Sequence, residues 1–196
     1  SWPGLIGLIL MILVLMMNAI AFSTNHWGII KPVIKPWQFD EGFMGVLLYC
    51  KDSRCEKYLD NVFLGVSNDV GMTQKTRASA TLTMVAMIIN FFALLQLTYS
   101  VGRKGNAGVV FDVSVANIIV GVLSLAAFAV YLAMLSEVRE VELIANDYDF
   151  ETGYSLNLSI ASWIFSWIAA GIFFLETRSL VYMEVQNVRA GGRGFL

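Results

Sequence analysis

Residues 4–22 read GLIGLILMILVLMMNAIAF, nineteen residues without Asp, Glu, Lys, Arg or His. An α-helix rises 1.5 Å per residue, so about 20 residues cross the roughly 30 Å hydrocarbon core of a bilayer. Three further stretches share this character: Ala78–Val101, Val113–Ser136 and Tyr154–Leu175. A backbone in lipid must satisfy its own hydrogen bonds, so each stretch reads as a helix and not as a strand. The expectation is a mainly α membrane protein with transmembrane helices at 4–23, 78–101, 113–136 and 154–175.

Composition agrees. Of 196 residues, 57% are hydrophobic and 14% charged, too apolar for an ordinary soluble domain. The formal net charge of -2 leaves no basic stripe to neutralise phosphates, which argues against nucleic acid as a partner. The sequence starts at Ser1 with no initiator Met. Its first apolar run lacks a charged n-region and a small-residue cleavage site, so it reads as a span rather than a signal peptide.

The connections are unequal: a long loop at 24–77, a short one at 102–112, a middle-sized one at 137–153, and a tail at 176–196. Four spans place both termini on one side. Positive charge does not say which side. Arg103, Lys104, Arg178, Arg189 and Arg193 lie with the termini, while the long loop carries seven Lys and Arg interleaved with acids. Long loops translocate largely regardless of charge, so that count is set aside.

Two cysteines, Cys50 and Cys55, lie in the long loop. Gly45–Cys50 (GVLLYC) reads as a short strand, Cys55–Leu59 as its partner, and Lys51-Asp52-Ser53-Arg54 as a polar hairpin turn. Gly28–Ile34 reads as a further strand, broken by Pro32. Cysteines flanking such a turn face each other across an antiparallel pair at a separation that a disulfide can close. The alternatives, two free thiols or a metal site, fit less well; His26 is the chain's single histidine and Zn wants four ligands. A disulfide requires an oxidising compartment, which puts loops 24–77 and 137–153 outside the cell and both termini in the cytoplasm.

Trp27 just beyond the first span, Gly45-Val46-Leu47 followed by Leu48-Tyr49-Cys50, the second Cys at Cys55, and Arg77 at the second span together resemble the claudin superfamily. That superfamily includes claudins, the peripheral myelin protein group, stargazin-like channel γ subunits and clarins. The resemblance covers the whole chain in helix order and loop lengths. It departs from tight-junction claudins in Leu47, which stands where the motif has a second Trp, and in the close spacing of the cysteines. Thr152-Gly153-Tyr154-Ser155-Leu156, with Ser162-Trp163 beyond, looks more like the start of the fourth helix in γ subunits. The resemblance implies a single domain, a left-handed four-helix bundle under a small extracellular antiparallel sheet, at the plasma membrane.

Asn18, Asn90, Gln96 and Asn117 lie within the spans, where each is expected to hydrogen-bond across helices. The spans contain no ionisable group for a proton or ion relay. Ser162, Ser166 and Ala170 recur every fourth residue and allow close helix approach, towards the bundle interior or towards an external partner; the interior is the better fit. Trp163, Trp167, Phe173 and Phe174 are expected on the opposite, lipid- or partner-facing side. The second outer loop carries Glu137, Glu140, Glu142, Asp147, Asp149 and Glu151 against Arg139 alone. This run is either a solvated face or a negative field that docks a basic partner or steers cations. His26 and Trp27 read as an interfacial pair, with Trp at headgroup depth. The sequon Asn157-Leu158-Ser159 falls inside the fourth span, where it is expected to be silent.

No nucleophile–base pair, glycine-rich phosphate loop or Cys-x-x-Cys motif is present, so neither an enzyme nor a cofactor is expected. The expected function is contact with other integral membrane proteins and membrane lipid. One form is an auxiliary subunit of an ion channel or receptor; the other is a cell-junction barrier protein.

Overall fold

The computed structural model describes residues 2–24, 26–32, 42–45, 48–51, 54–57, 70–101, 106–140 and 148–191. Four helices form the body: α1 (Trp2–Ser23), α2 (Val70–Val101), α3 (Ala107–Glu140) and α4 (Tyr154–Gly191). Each contains a stretch long and apolar enough to cross a membrane. Helix α3 packs along α2 and α4, and α1 along α4 and, more lightly, α2.

All four elements match the apolar stretches, but three helices overrun them. Helix α2 begins at Val70 rather than 78, α3 spans Ala107–Glu140 rather than 113–136, and α4 continues to Gly191 instead of stopping at 175. A charge ends a lipid-compatible run without ending a helix. Residues 176–190 (ETRSLVYMEVQNVRA) contain neither Gly nor Pro, so nothing breaks the hydrogen-bond ladder until Gly191. The tail expected at 176–196 is therefore helical over most of its length.

The buried positions recur with a seven-residue period. On α1 they are Gly7, Met11, Val14, Asn18 and Ala21. On α2 the series runs Thr76, Ser79, Thr83, Ala86, Asn90, Ala93, Leu97, and on α4 Ser159, Ser162, Ser166, Ala169, Phe173. Alternating steps of three and four keep one seam of each helix turned to the centre.

A five-stranded antiparallel sheet sits at one end of the bundle, in the order β4-β3-β2-β1-β5. Its strands are β1 (Gly28–Pro32), β2 (Gly42–Met44), β3 (Leu48–Lys51), β4 (Arg54–Lys57) and β5 (Tyr148–Thr152). The strand expected at Gly45–Cys50 is β3, which covers Leu48–Lys51, while Gly45 directly follows β2. Lys51 and Arg54, expected in the turn, are instead the last pair of the β3–β4 ladder; β4 covers Arg54–Lys57, and positions 58 and 59 of the expected strand lie outside the described residues. Strand β1 ends at Pro32, which has no N–H to continue the pairing. Strand β5 was not anticipated from the acidic loop. It pairs with β1 over five residues, from Gly28 opposite Thr152 to Pro32 opposite Tyr148, so both long loops contribute to one sheet.

A candidate contact platform at the sheet end of the bundle

Trp27 is the joint between sheet and helices. It is fully buried inside the protein. Its indole Nε1 donates to the Ala21 carbonyl at 2.5 Å, and its ring lies 4.9 Å from that of Tyr131 on α3. The Trp27 N–H donates to Met44 O at 2.8 Å and the Trp27 carbonyl accepts from the Gly153 N–H at 2.9 Å. Tyr131 closes the set by donating its hydroxyl to the same Met44 carbonyl at 3.2 Å. Trp27, Tyr131, Met44, Met134, Leu156 and Ala21 form one buried cluster, so β1 and β2 rest on α1, α3 and α4 together.

The start of α4 is fixed to the same joint. The Ser155 N–H, one of the first-turn donors without an intrahelical acceptor, donates to His26 O at 3.1 Å. Thr24 Oγ1 and Ser155 Oγ lie 2.5 Å apart. Gly153 lies against the His26 carbonyl so closely that any Cβ there would overlap backbone. Glycine is required by the close approach of the chain after α1 to the chain before α4.

On the sheet's flank, His26 is sandwiched between Phe43, at 4.4 Å between ring centroids, and Tyr154, at 4.7 Å. The Tyr154 hydroxyl lies 3.3 Å from His26 Nδ1 and remains half exposed. Cys50 is disulfide-bonded. Cys55, the sole other cysteine, stands directly opposite it in the β3–β4 register. Gly45 is buried beside Met44, Arg77 is exposed on α2, and Leu47 lies outside the described residues.

The acidic residues do not form one free field. Glu151 pairs with Lys31 at 2.7 Å across β1 and β5, and Glu137 pairs with Lys75 between α3 and α2. Two of the six acids are thus engaged by lysines, one on β1 and one on α2. Asp149 lies opposite Lys31 in the strand register, and Glu140 is the last residue of α3. Glu142 and Asp147 fall outside the described residues.

On α4, Ser162, Ser166 and Ala170 are buried, and α3 bonds at two of these positions. Ser166 Oγ donates to Asn117 O at 2.7 Å, and Ser114 Oγ on α3 donates to Ala170 O at 2.8 Å. These three cannot meet an external partner. Phe173, expected on the outer side, is also buried, because Gly7 on α1 opens a notch for it: a Cβ on Gly7 would lie 2.6 Å from the ring. Trp163 and Trp167 make an edge-to-face pair with centroids 5.1 Å apart. The Trp167 indole rests over Gly121 of α3 but is 40% exposed, and with Ile168 and Phe174 it presents an apolar flank.

The amides within the four apolar stretches behave differently from expectation. Only Asn90 bonds across helices, to Met11 O at 3.1 Å. Asn117 donates within its own helix to Val113 O, Gln96 is exposed, and neither side-chain atom of Asn18 has a partner. Serines supply the cross-helix bonds instead, as Ser79 does to Ala127 O at 2.9 Å. A hydroxyl is short enough for the helices to close around it, which an amide at a tight crossing is not. Among the described residues no three His, Cys, Asp or Glu side chains come together in an arrangement that could hold a metal ion.

No protein-family model matches the chain, and no curated protein sequence is significantly similar to it.

Proposed function

We propose that the chain is a claudin-like multi-pass protein of the plasma membrane that acts as an auxiliary, regulatory subunit of an ion channel or receptor. The observation that carries this reading is the joint at Trp27. It unites strands from both long loops into one sheet and fixes that sheet rigidly to the helix ends. A platform so held transmits force between an outer contact and the spans, as a modulator that prefers one state of its partner requires. The exposed Trp167, Ile168 and Phe174 flank of α4 offers a second contact within the bilayer.

The termini are cytoplasmic and the sheet extracellular in this reading, because Cys50 is disulfide-bonded and disulfides persist outside the reducing cytosol. A left-handed winding of the bundle is supported by the seven-residue recurrence of buried positions, which pulls helices into that hand.

A junction protein is the second reading, favoured by the sheet itself. Among the described residues β4 and β5 are its edges, and a sheet edge is a template for pairing with another chain. Mild solubilisation from the native tissue followed by identification of co-purifying proteins decides between the two. A stoichiometric channel or receptor supports the subunit reading. Homopolymeric strands formed when the chain is expressed in cells that otherwise lack junctions support the second, and a lone monomer counts against both.

A further inference from the structure

Each helix contributes small polar side chains to the bundle centre, and the contacts between helices bring them to one level. Gly7 of α1 lies against Phe173 of α4; eleven residues further along α1 and eleven back along α4 stand Asn18 and Ser162. Asn90 of α2 bonds to Met11 of α1, and seven residues from each stand Thr83 and Asn18. Ser166 of α4 bonds to Asn117 of α3, and seven residues from each stand Ser159 and Ser124. Ser79 of α2 bonds to Ala127 of α3, which aligns Thr83 with the turn of Ser124. The antiparallel helices therefore place Asn18, Thr83, Ser124, Ser159 and Ser162 in one layer.

All five are at most 2% exposed. Thr83 satisfies its hydroxyl on Ser79 O of its own helix. The others do not take that route: Asn18 Nδ2 and Oδ1 and the Oγ atoms of Ser124, Ser159 and Ser162 have no hydrogen-bond partner in the protein. Buried polar atoms are rarely left so, because desolvating one without replacing its bonds to water is costly. Among the described residues, five of the eight such atoms stand at this level; the others are Asn90 Oδ1, Asn117 Oδ1 and Trp163 Nε1. That level separates an apolar cluster near the sheet (Ala21, Ala80, Tyr131, Leu156) from the next one down (Val14, Ala86, Val120).

We propose that this layer is a binding site for ordered water, which bridges α1, α3 and α4 through Asn18, Ser124, Ser159 and Ser162. The chemistry selects water over a cation. The unpartnered groups of the layer are one amide, with donor and acceptor ends, and three hydroxyls that do both, and its five residues include no carboxylate. An ion there would be buried without a countercharge. Water needs two to four polar partners, and the layer offers more than that. The site depends on the bundle alone, not on what the protein contacts outside.

The test is a water-contact NMR measurement on the protein labelled with ¹⁵N-asparagine and held in lipid nanodiscs, with the Asn18 side-chain signal assigned by its loss in Asn18→Leu. A magnetisation-transfer peak between water and the Asn18 side-chain amide is expected in the unmodified protein. Ser162→Ala, a small change that keeps the fold, should reduce that peak at least twofold by removing one of the water's partners. Absence of the peak in the unmodified protein overturns the proposal, as does a peak unchanged by Ser162→Ala together with Ser124→Ala. The measurement does not involve any partner protein, so its failure is distinct from failure of the subunit reading.

Discussion

The Trp27 indole N–H reaches back to the Ala21 carbonyl, six residues earlier, at the point where α1 ends. That carbonyl is among the last four of the helix, which have no intrahelical donor. One side chain thus caps α1, fills the space under the sheet and positions both β1 and β2. Trp27→Phe retains most of the apolar volume and loses the bond, and should cost about 1–3 kcal/mol. Trp27→Ala also opens a cavity, and should cost about 3–5 kcal/mol. Thermal unfolding of the detergent-solubilised protein, followed by tryptophan-independent circular dichroism, ranks the two; equal Tm values for both variants and the parent would contradict the capping role.

Two glycines on the same helix-and-turn unit predict opposite outcomes for the same substitution. At Gly153 an added Cβ overlaps the His26 backbone, which no side-chain rotation can relieve. Gly153→Ala should lower stability by about 2 kcal/mol or more, at the upper end of overpacking costs, since backbone has to move. At Gly171, in the middle of α4, an added Cβ meets nothing within 4 Å. Gly171→Ala should be neutral or raise stability by up to about 1 kcal/mol through helix propensity. Parallel melts of the two variants check the pair, and a loss at Gly171 as large as that at Gly153 would be the wrong sign.

The four helices were readable because lipid imposes one rule: a long uncharged run must be helical. The rule is silent on helix ends, which is why α4 outlasts Leu175 and α3 reaches into the acidic loop. It is equally silent about which face turns inward. Phe173 looked like a lipid-facing aromatic, and only the Gly7 notch on a helix far away in sequence shows why it is buried. Strand β5 carries a Tyr148-Asp149-Phe150-Glu151 alternation, yet its partner β1 lies more than a hundred residues earlier, so its pairing had no local signal. The acids read as either a solvated face or a negative field for the same reason, since Lys31 and Lys75 reach Glu151 and Glu137 only through the tertiary fold.

The Lys75–Glu137 pair links the sheet-end turns of α2 and α3. Both side chains are substantially exposed, so the pair is worth at most about 1 kcal/mol and less in high salt. Lys75→Glu places two acids together and should destabilise modestly; the exchange Lys75→Glu with Glu137→Lys should restore most of the loss. A double-mutant cycle of unfolding midpoints at low salt measures the coupling. Coupling unchanged by 1 M NaCl would mean that the charges are not what joins these helices.

The Cys50–Cys55 hairpin supports both the stability and the orientation argument. The loop it closes is short, so in the chain-entropy account a disulfide there adds about 2 kcal/mol, with the gain confined to the β3–β4 ladder. Cys50→Ser or Cys55→Ser should therefore leave the helices intact but reduce delivery to the cell surface, measured by surface biotinylation. Each single variant also leaves one thiol as a reporter of sidedness. Among the Cys55→Ser molecules that do reach the surface, selected by the same biotinylation, a membrane-impermeant maleimide added to intact cells should label Cys50, and permeabilisation should add little to that fraction. Labelling that appears only after permeabilisation would place the sheet on the cytosolic side, and the outer-contact reading would fall with it.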